Sequence, residues 1–299
     1  MTPRTKSRSI VTALQVGLLG LVLIAGLNHN SLMDQYALAT YKPSVEVQGF
    51  ESRIGLTPAA RAALYRSDPS YDDKAKFNID CETQPHELEL GCYYRGKIYV
   101  LRIENPSLAP EMDVVSAHEL LHAVWAGMSS KERDKLKPEL EAVYERLADK
   151  DLQERMAGYA KSEPGEETNE LHSILATEYS ELSPALEAHF AKYFVRRSQV
   201  VEQHAAYQSV FETRRQELER ELADIRSQKA TLSSLNRQMD TYKSSGQIEA
   251  YNALVPRQNR LVQSINRQIE AYRAAVEEYN ELSKSLDSQA ITDTETSAQ

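Results

Sequence analysis

The sequence predicts a mainly α-helical protein with a small β-hairpin or sheet, an α+β domain that has a different kind of segment on each side. Three patterns predict this organisation. An apolar, uncharged run occupies residues 10–27. Residues 92–103 follow a period of two and predict a β-hairpin between helical segments. Beyond residue 200, apolar residues recur at heptad-like steps, which is typical of a coiled coil.

Composition narrows the class of protein. The chain has 299 residues, which suggests one or two domains, and a net charge of -9. That charge excludes a general nucleic-acid-binding surface, which needs basic residues to displace counterions. The two cysteines, Cys81 and Cys92, are too few for a zinc site built from cysteines.

The apolar run at residues 10–27 predicts one transmembrane helix. At 1.5 Å per residue it extends about 27 Å, enough to cross a bilayer core. Arg4, Lys6 and Arg8 precede it, which places the N-terminus in the cytoplasm and the remainder outside. The competing interpretation is a signal peptide cut near the Ala-Leu-Ala of residues 37–39. Either way the bulk of the chain is exported, and an oxidising compartment favours a disulfide between Cys81 and Cys92 over two unpaired core thiols.

Shifts in composition divide the chain into six segments. They are a basic cytoplasmic segment at 1–9, a transmembrane anchor at 10–27, a juxtamembrane stalk at 28–55, a globular domain at 56–197, an antiparallel coiled-coil hairpin at 198–287 and a disordered tail at 288–299.

Local signals predict the elements of the globular domain. A capping hydroxyl followed by proline, Thr57-Pro58, predicts a helix that runs to about Arg66. The stretch from Asp68-Pro69 to Cys81 looks irregular, and Arg95-Gly96 predicts the turn of the hairpin. Further helices are predicted at 112–128, at 136–160, at 170–182 and from Ser183-Pro184 onward.

The last third of the chain predicts two helices that pair. Apolar residues recur at steps of three and four in both halves, and Lys243-Ser244-Ser245-Gly246 is a turn signal between them. The seam positions are Leu218, Leu222, Ile225 and Leu232 in the first half and Val262, Ile265, Ile269, Tyr272, Val276 and Tyr279 in the second.

The His118-Glu119-Leu120-Leu121-His122 stretch is an HExxH motif within a predicted helix. Its two histidines lie four residues apart, one helical turn, so both imidazoles project from one face and supply two ligands to a zinc ion. Glu119 is placed to take a proton from water activated by the metal. The flanking residues are apolar, and two histidines on such a helix need a partner. We therefore predict a Zn²⁺ cofactor.

A catalytic zinc keeps three protein ligands, and the third is a glutamate on a later helix. No third histidine follows in the pattern HExxHxxGxxH, which excludes the metzincin class. On the helix that follows Asn169, Glu178 lies within the apolar sector, whereas Glu170 lies on its flank. The sector argument favours Glu178. The alternative is Glu170, because the Asn-Glu pair resembles the third-ligand dipeptide of thermolysin-like enzymes.

The other histidines are assigned weaker roles. His172 is a candidate for steadying the oxyanion of the transition state, with a solvated surface position as the alternative. His86, His189 and His204 have no supporting context and are interpreted as structural or surface residues.

The motif Gly91-Cys92-Tyr93 and residues 117–123 and 169–173 are among those by which residues 57–197 resemble an uncharacterised group of bacterial, membrane-anchored, gluzincin-like metallopeptidases. The resemblance implies a minimal zincin-like domain with a site of two histidines and one glutamate, and it implies no particular substrate. The gluzincin pattern of a glutamate followed four residues later by aspartate is absent. The matching motifs are Phe77-Asn78 with Cys81, Gly91-Cys92-Tyr93, residues 117–123, residues 169–173, Thr177-Glu178 and residues 182–187.

Two functions follow as hypotheses. The first is a membrane-anchored, extracytoplasmic zinc metallopeptidase that hydrolyses peptides or proteins of the cell envelope, with Glu119 as general base. In it the strand at 98–103 aligns the substrate. The second is a non-enzymatic envelope scaffold or binding protein, in which the coiled coil binds a partner and the zinc is structural or vestigial.

Overall fold

The computed structural model describes residues 29–81 and 90–286. The predicted cytoplasmic segment 1–9, the anchor 10–27, the tail 288–299 and His86 lie outside these residues. Within the described part of the chain, no helix is both long enough and apolar enough to cross a membrane.

The observed architecture is mainly helical with a small three-stranded sheet, as the sequence predicts. The elements of the N-terminal part are α1 (His29–Thr40), α2 (Val45–Ile54), α3 (Pro58–Arg66), β1 (Ser70–Asp72), α4 (Lys74–Asp80), β2 (Gly91–Tyr94) and β3 (Lys97–Leu101). They are followed by α5 (Glu111–Gly127), α6 (Ser130–Leu147), α7 (Lys150–Ser162), α8 (Glu167–Glu178), α9 (Pro184–Phe190), α10 (Ser198–Ser244) and α11 (Ile248–Leu286).

Contacts divide the chain into two compact units. Among the described residues, the first comprises those up to Arg102 together with Glu111–His204, and the second comprises Ile103–Pro110 and those from Ala205 onward.

The predicted stalk is instead part of the first unit. Ser44 caps the N-terminus of α2, and Gly55 ends the helix in a left-handed conformation. Val47, Phe50 and Ile54 recur at steps of three and four and are fully buried in the main core. The Arg53 guanidinium also binds the buried carboxylate of Asp113 on α5, at 2.5 and 2.7 Å. Residues 45–54 therefore help to hold α5.

The sheet has the order β1-β3-β2, with β3 in the middle. The hairpin is confirmed: β2 and β3 pair antiparallel, and Arg95 and Gly96 both have positive φ, as a two-residue turn of type I′ requires. The stretch expected to be irregular contains α4 and the short strand β1, which pairs parallel to β3. Three residues are too few to display a period of two.

Helix α5 lies at the centre of the first unit and packs against α2, α3, α8 and both strands of the hairpin. Its residues are buried on almost every side. Helix α8 is its principal neighbour, and Arg197 caps the end of α8 by donating to the carbonyls of Ala176, Tyr179 and Ser180. The helices α5 and α8 therefore pack against each other, and both are held in place by neighbouring elements.

The helix predicted at 136–160 is two helices. Ala148 adopts a left-handed conformation with φ of 49°, which ends α6, and Asp149 caps the first turn of α7. The predicted starts at Thr57-Pro58 and Ser183-Pro184 are confirmed, since both hydroxyls accept a backbone hydrogen bond from the first turn.

In the second unit α10 and α11 run antiparallel. Arg214 on α10 pairs with Glu278 on α11 at 2.8 Å, and Gln258 donates to Asn236 at 2.7 Å. Ser245, Gly246 and Gln247 connect the two helices, which agrees with the predicted turn. The helical hairpin is present, and its supercoiling remains a prediction.

A disulfide joins Cys81, which follows α4, to Cys92 of β2, with 6.0 Å between the Cα atoms. This is the pairing expected from the sequence for an exported chain. Phe77, Cys81 and Leu101 form a small separate core beneath it. The disulfide therefore fixes the strand β2 to a neighbouring helix.

Candidate metal centre

Helix α5 brings the HExxH side chains together as predicted. The rings of His118 and His122 lie 4.8 Å apart between centroids. One ligating atom from each of His118, Glu119 and His122 lies within 4.8 Å of the others. His122 and Glu119 are buried, and His118 is 18% exposed. This group could hold a metal ion.

Glu170 of α8 closes the group from the opposite side. Its Oε2 lies 3.5 Å from Nε2 of His118, and its Oε1 lies 3.3 Å from Nε2 of His122. The residue is only 6% exposed. One carboxylate therefore contacts both imidazoles at the nitrogens that a metal would use.

Glu178, the glutamate preferred on sequence grounds, is positioned elsewhere. Its carboxylate accepts two hydrogen bonds from the guanidinium of Arg155 on α7, at 2.9 and 2.6 Å. On its other side Nε2 of His204 lies 3.6 Å away. The carboxylate thus has a cationic partner of its own, and the geometry favours Glu170, the reverse of the sequence-based preference.

The pKa values of the two histidines are shifted in opposite directions. Burial disfavours a positive charge on both rings. At His118 the hydrogen bond to Glu170 and the neighbouring carboxylates outweigh burial and raise the pKa to about 9. At His122 burial prevails and lowers the pKa. At Glu170 burial opposes the charge, but the two histidines keep the carboxyl pKa below its ordinary value. The site therefore favours a cation beside Glu170.

His172 does not belong to this group. It is fully buried, and its Nε2 lies 3.0 Å from Nε2 of His189. Its ring packs against Trp125 at 5.1 Å between centroids. Burial, together with the nearby histidines, lowers its pKa well below the ordinary value, so it is neutral. The suggested oxyanion role is corrected to a core position, and His189, expected to be structural or at the surface, is buried with it.

An open cavity of about 560 Å³ lies in front of the metal-binding group. The strand that lines it is β2, through residues 91–94, and not β3. Both edges of β3 are already paired, with β1 and β2, so residues 98–101 have no free edge for the predicted pairing with a substrate. Among the described strands β2 is at the edge of the sheet.

Several residues that line the cavity were not singled out from the sequence, among them Tyr159 and Arg133. Tyr159 of α7 lies on a charged helix without a motif, and burial raises its pKa, so its hydroxyl stays protonated at neutral pH. Arg133 of α6 is one of many charged residues in that segment. Only the tertiary packing of α6 and α7 against α8 brings them to the cavity.

Gly91 allows β2 to approach α5. A Cβ at this position would lie 2.4 Å from Cγ1 of Val115 and 2.9 Å from Cγ and Oε1 of Glu119. These distances are below any normal contact, so a side chain here would displace the strand or the glutamate. The close approach therefore sets the position of Glu119 relative to the cavity wall.

We expect Gly91→Ala to lower the free energy of unfolding by about 1–3 kcal/mol through overpacking, and to reduce any activity that depends on Glu119. Gly158→Ala is the matched control. It lies in the exposed part of α7, where a Cβ meets nothing within 4 Å, and it should raise stability by about 0.5–1 kcal/mol. Denaturant unfolding of both variants measures the difference, and equal stabilities would contradict the close approach at Gly91.

The function has to be argued from the site itself. Comparison of the chain with protein-family models, with curated proteins and with solved structures gives no match. The argument therefore rests on His118, Glu119 and His122 of α5, on Glu170 of α8 and on the strand β2.

Proposed function

We propose that this chain is a zinc-dependent peptidase, with His118, His122 and Glu170 as metal ligands. One observation carries the proposal: the carboxylate of Glu170 meets both imidazoles of the HExxH helix at the wall of an open cavity. Two histidines and one glutamate are a ligand set of hydrolytic zinc enzymes, in which the fourth position stays open to water and substrate.

The distances support zinc as the ion. Ligand atoms placed about 2.0–2.1 Å from a tetrahedral ion stand roughly 3.3 Å from one another. The carboxylate oxygens of Glu170 lie 3.5 and 3.3 Å from the two Nε2 atoms. Both spacings, one from each carboxylate oxygen, are close to this value, which supports a zinc ion held by the three side chains.

His118, His122 and Glu170 would hold the zinc ion, which would act as a Lewis acid and lower the pKa of water to about 7. Glu119 is adjacent to the ligands and accepts the proton of the attacking water, then returns it to the leaving nitrogen. Tyr159 lines the cavity with a protonated hydroxyl, and it is the proposed hydrogen-bond donor to the oxygen that gains negative charge. The edge strand β2 pairs with the substrate in an extended form.

The same proposal includes export and anchoring. The apolar run at 10–27, which lies outside the described residues, is the proposed anchor, with the site beyond the membrane. The Cys81–Cys92 disulfide supports an oxidising compartment. Substrates would then be peptides or proteins of the cell envelope.

Removal of the metal tests the function. We expect a strong chelator to abolish cleavage of a mixed peptide library, and one equivalent of zinc to restore it. Metal content is measured by elemental analysis, and cleavage by mass spectrometry. A chain that binds one zinc but cleaves no library peptide would contradict a peptidase and favour the scaffold, with the hairpin of α10 and α11 as its working part.

A further inference from the structure

Among the described residues, Arg133 is the arginine that lines the cavity, and it forms no ion pair with a carboxylate there. Arg133 lies in the first part of α6, and its Cζ lies 5.5 Å from the centroid of the Trp125 ring. Its Nη2 donates to the carbonyl of Ala126 at 3.2 Å, and its buried Nε has no hydrogen-bond partner. Among the described residues, the guanidinium is thus held by a carbonyl and a ring, with no carboxylate bound to it.

The remaining ionisable groups that line the cavity make this cation unusual. Apart from the two histidines and the neutral tyrosines Tyr93, Tyr94 and Tyr159, they are carboxylates, Glu119, Glu163, Glu166 and Glu170. An acidic cavity repels substrates that carry several negative charges. A single carboxylate at a fixed place in the substrate suits one guanidinium, which binds such a group through two parallel hydrogen bonds.

The distance between Arg133 and the candidate metal ligands can be compared with the length of a peptide residue. Ala126 follows His122 by four residues, so its carbonyl lies about 6 Å farther along α5 than the carbonyl of His122. An extended peptide advances about 3.3 Å per residue. A carboxylate bound at Arg133 would therefore lie roughly one or two residues beyond a scissile bond held beside His122.

We propose that Arg133 binds the C-terminal carboxylate of the substrate, so that the enzyme removes one or two residues from the C-termini of peptides. This inference rests on the proposed peptidase function. In the hydrolysis, water adds to the carbonyl carbon of the scissile bond, the C–N bond breaks, and the released C-terminal fragment leaves with the proton on its nitrogen.

A pair of peptides with one sequence tests the inference, one with a free C-terminal carboxylate and one with a C-terminal amide. We expect wild-type kcat/KM to be at least tenfold higher for the free acid. Arg133→Gln should remove that preference, whereas Arg146→Gln should keep it. Arg146 is the matched control, because it lies on the same helix and also donates to a carbonyl, that of Glu181, but does not line the cavity.

Three outcomes distinguish a failure of the proposed role of Arg133 from a failure of the proposed peptidase function. Equal cleavage of both peptides at one internal bond overturns the role of Arg133 and leaves the peptidase standing. Equal cleavage of the free acid and of an amidated peptide with an internal glutamate assigns Arg133 to side-chain carboxylates and also overturns the inference. Cleavage of no peptide overturns both proposals.

Binding gives a readout that does not depend on turnover. Trp125 is the only tryptophan of the chain and lies beside Arg133, so its fluorescence reports a ligand at this end of the cavity. In a Glu119→Gln background, the free-acid peptide should bind at least tenfold more tightly than its amide. Equal dissociation constants would contradict the proposal even if Arg133→Gln failed to fold.

Discussion

Glu119→Gln is expected to abolish hydrolysis while the chain keeps its zinc. Glutamine has nearly the same shape as glutamate and fits the same space against Gly91, but it cannot accept a proton from water. General base catalysis contributes about 10²–10⁴-fold to a rate, so we expect kcat/KM to fall by about a thousandfold. Peptide cleavage and elemental analysis on the same preparation measure both quantities.

The control for this variant is Glu154→Gln, which makes the same chemical change on the exposed face of α7. It should leave both cleavage and zinc content unchanged. Undiminished turnover in Glu119→Gln would show that another group accepts the proton, and loss of zinc would show that Glu119 is a ligand.

Glu170→Gln is expected to weaken zinc binding by at least about a hundredfold, more than the 10–100-fold typical of a lost supporting group behind a ligand. The change removes the negative charge that meets both imidazoles. Competition with a chromophoric chelator measures the affinity. Zinc affinity in Glu178→Gln should stay within about threefold of wild type, since that carboxylate is bound by Arg155.

Glu178→Gln is expected to reduce the stability of the fold and not the affinity for zinc. Loss of the Arg155 pair, which is partly exposed, should lower the free energy of unfolding by about 1 kcal/mol. Thermal unfolding of both variants in excess chelator separates this effect from metal binding. If Glu178→Gln lost zinc and Glu170→Gln retained it, the sequence-based preference for Glu178 would be the correct one.

The sequence predicted the parts of the site that depend on local geometry. His118 and His122 are one turn apart on any helix, and Arg95-Gly96 favours a tight turn wherever two strands flank it. The starts of α3 and α9 follow from a hydroxyl and a proline next to each other. Such signals involve neighbouring residues, so tertiary packing does not alter them.

The third ligand could not be predicted in this way. The argument for Glu178 assumed that α8 has one buried face, but every residue from Glu170 to Thr177 is buried. A helix enclosed on all sides has no polar face against which a carboxylate looks exceptional. The partner of Glu178 is Arg155, a residue on another helix, and no local pattern of α8 indicates it.

Residues 45–54 were assigned to a stalk although the sequence contains signals for a helix there. Ser44 and Gly55 bracket the helix, and Val47, Phe50 and Ile54 mark its buried face. A helix of ten residues of which three are charged has too little apolar content to be distinguished from a linker by composition alone. The caps were the better guide.

The disulfide has a practical consequence for how a negative assay is interpreted. Cys92 is adjacent to Gly91 and belongs to the cavity wall, and its bond to Cys81 forms only where thiols are oxidised. In a recombinant chain with both thiols reduced, we expect the pairing of β2 with β3 and the small core around Phe77 to be what connects this wall to α4. An inactive preparation of this kind would lack the Cys81–Cys92 bond, so it would not test the proposed function. Protein recovered from an oxidising compartment is the appropriate sample for every assay above.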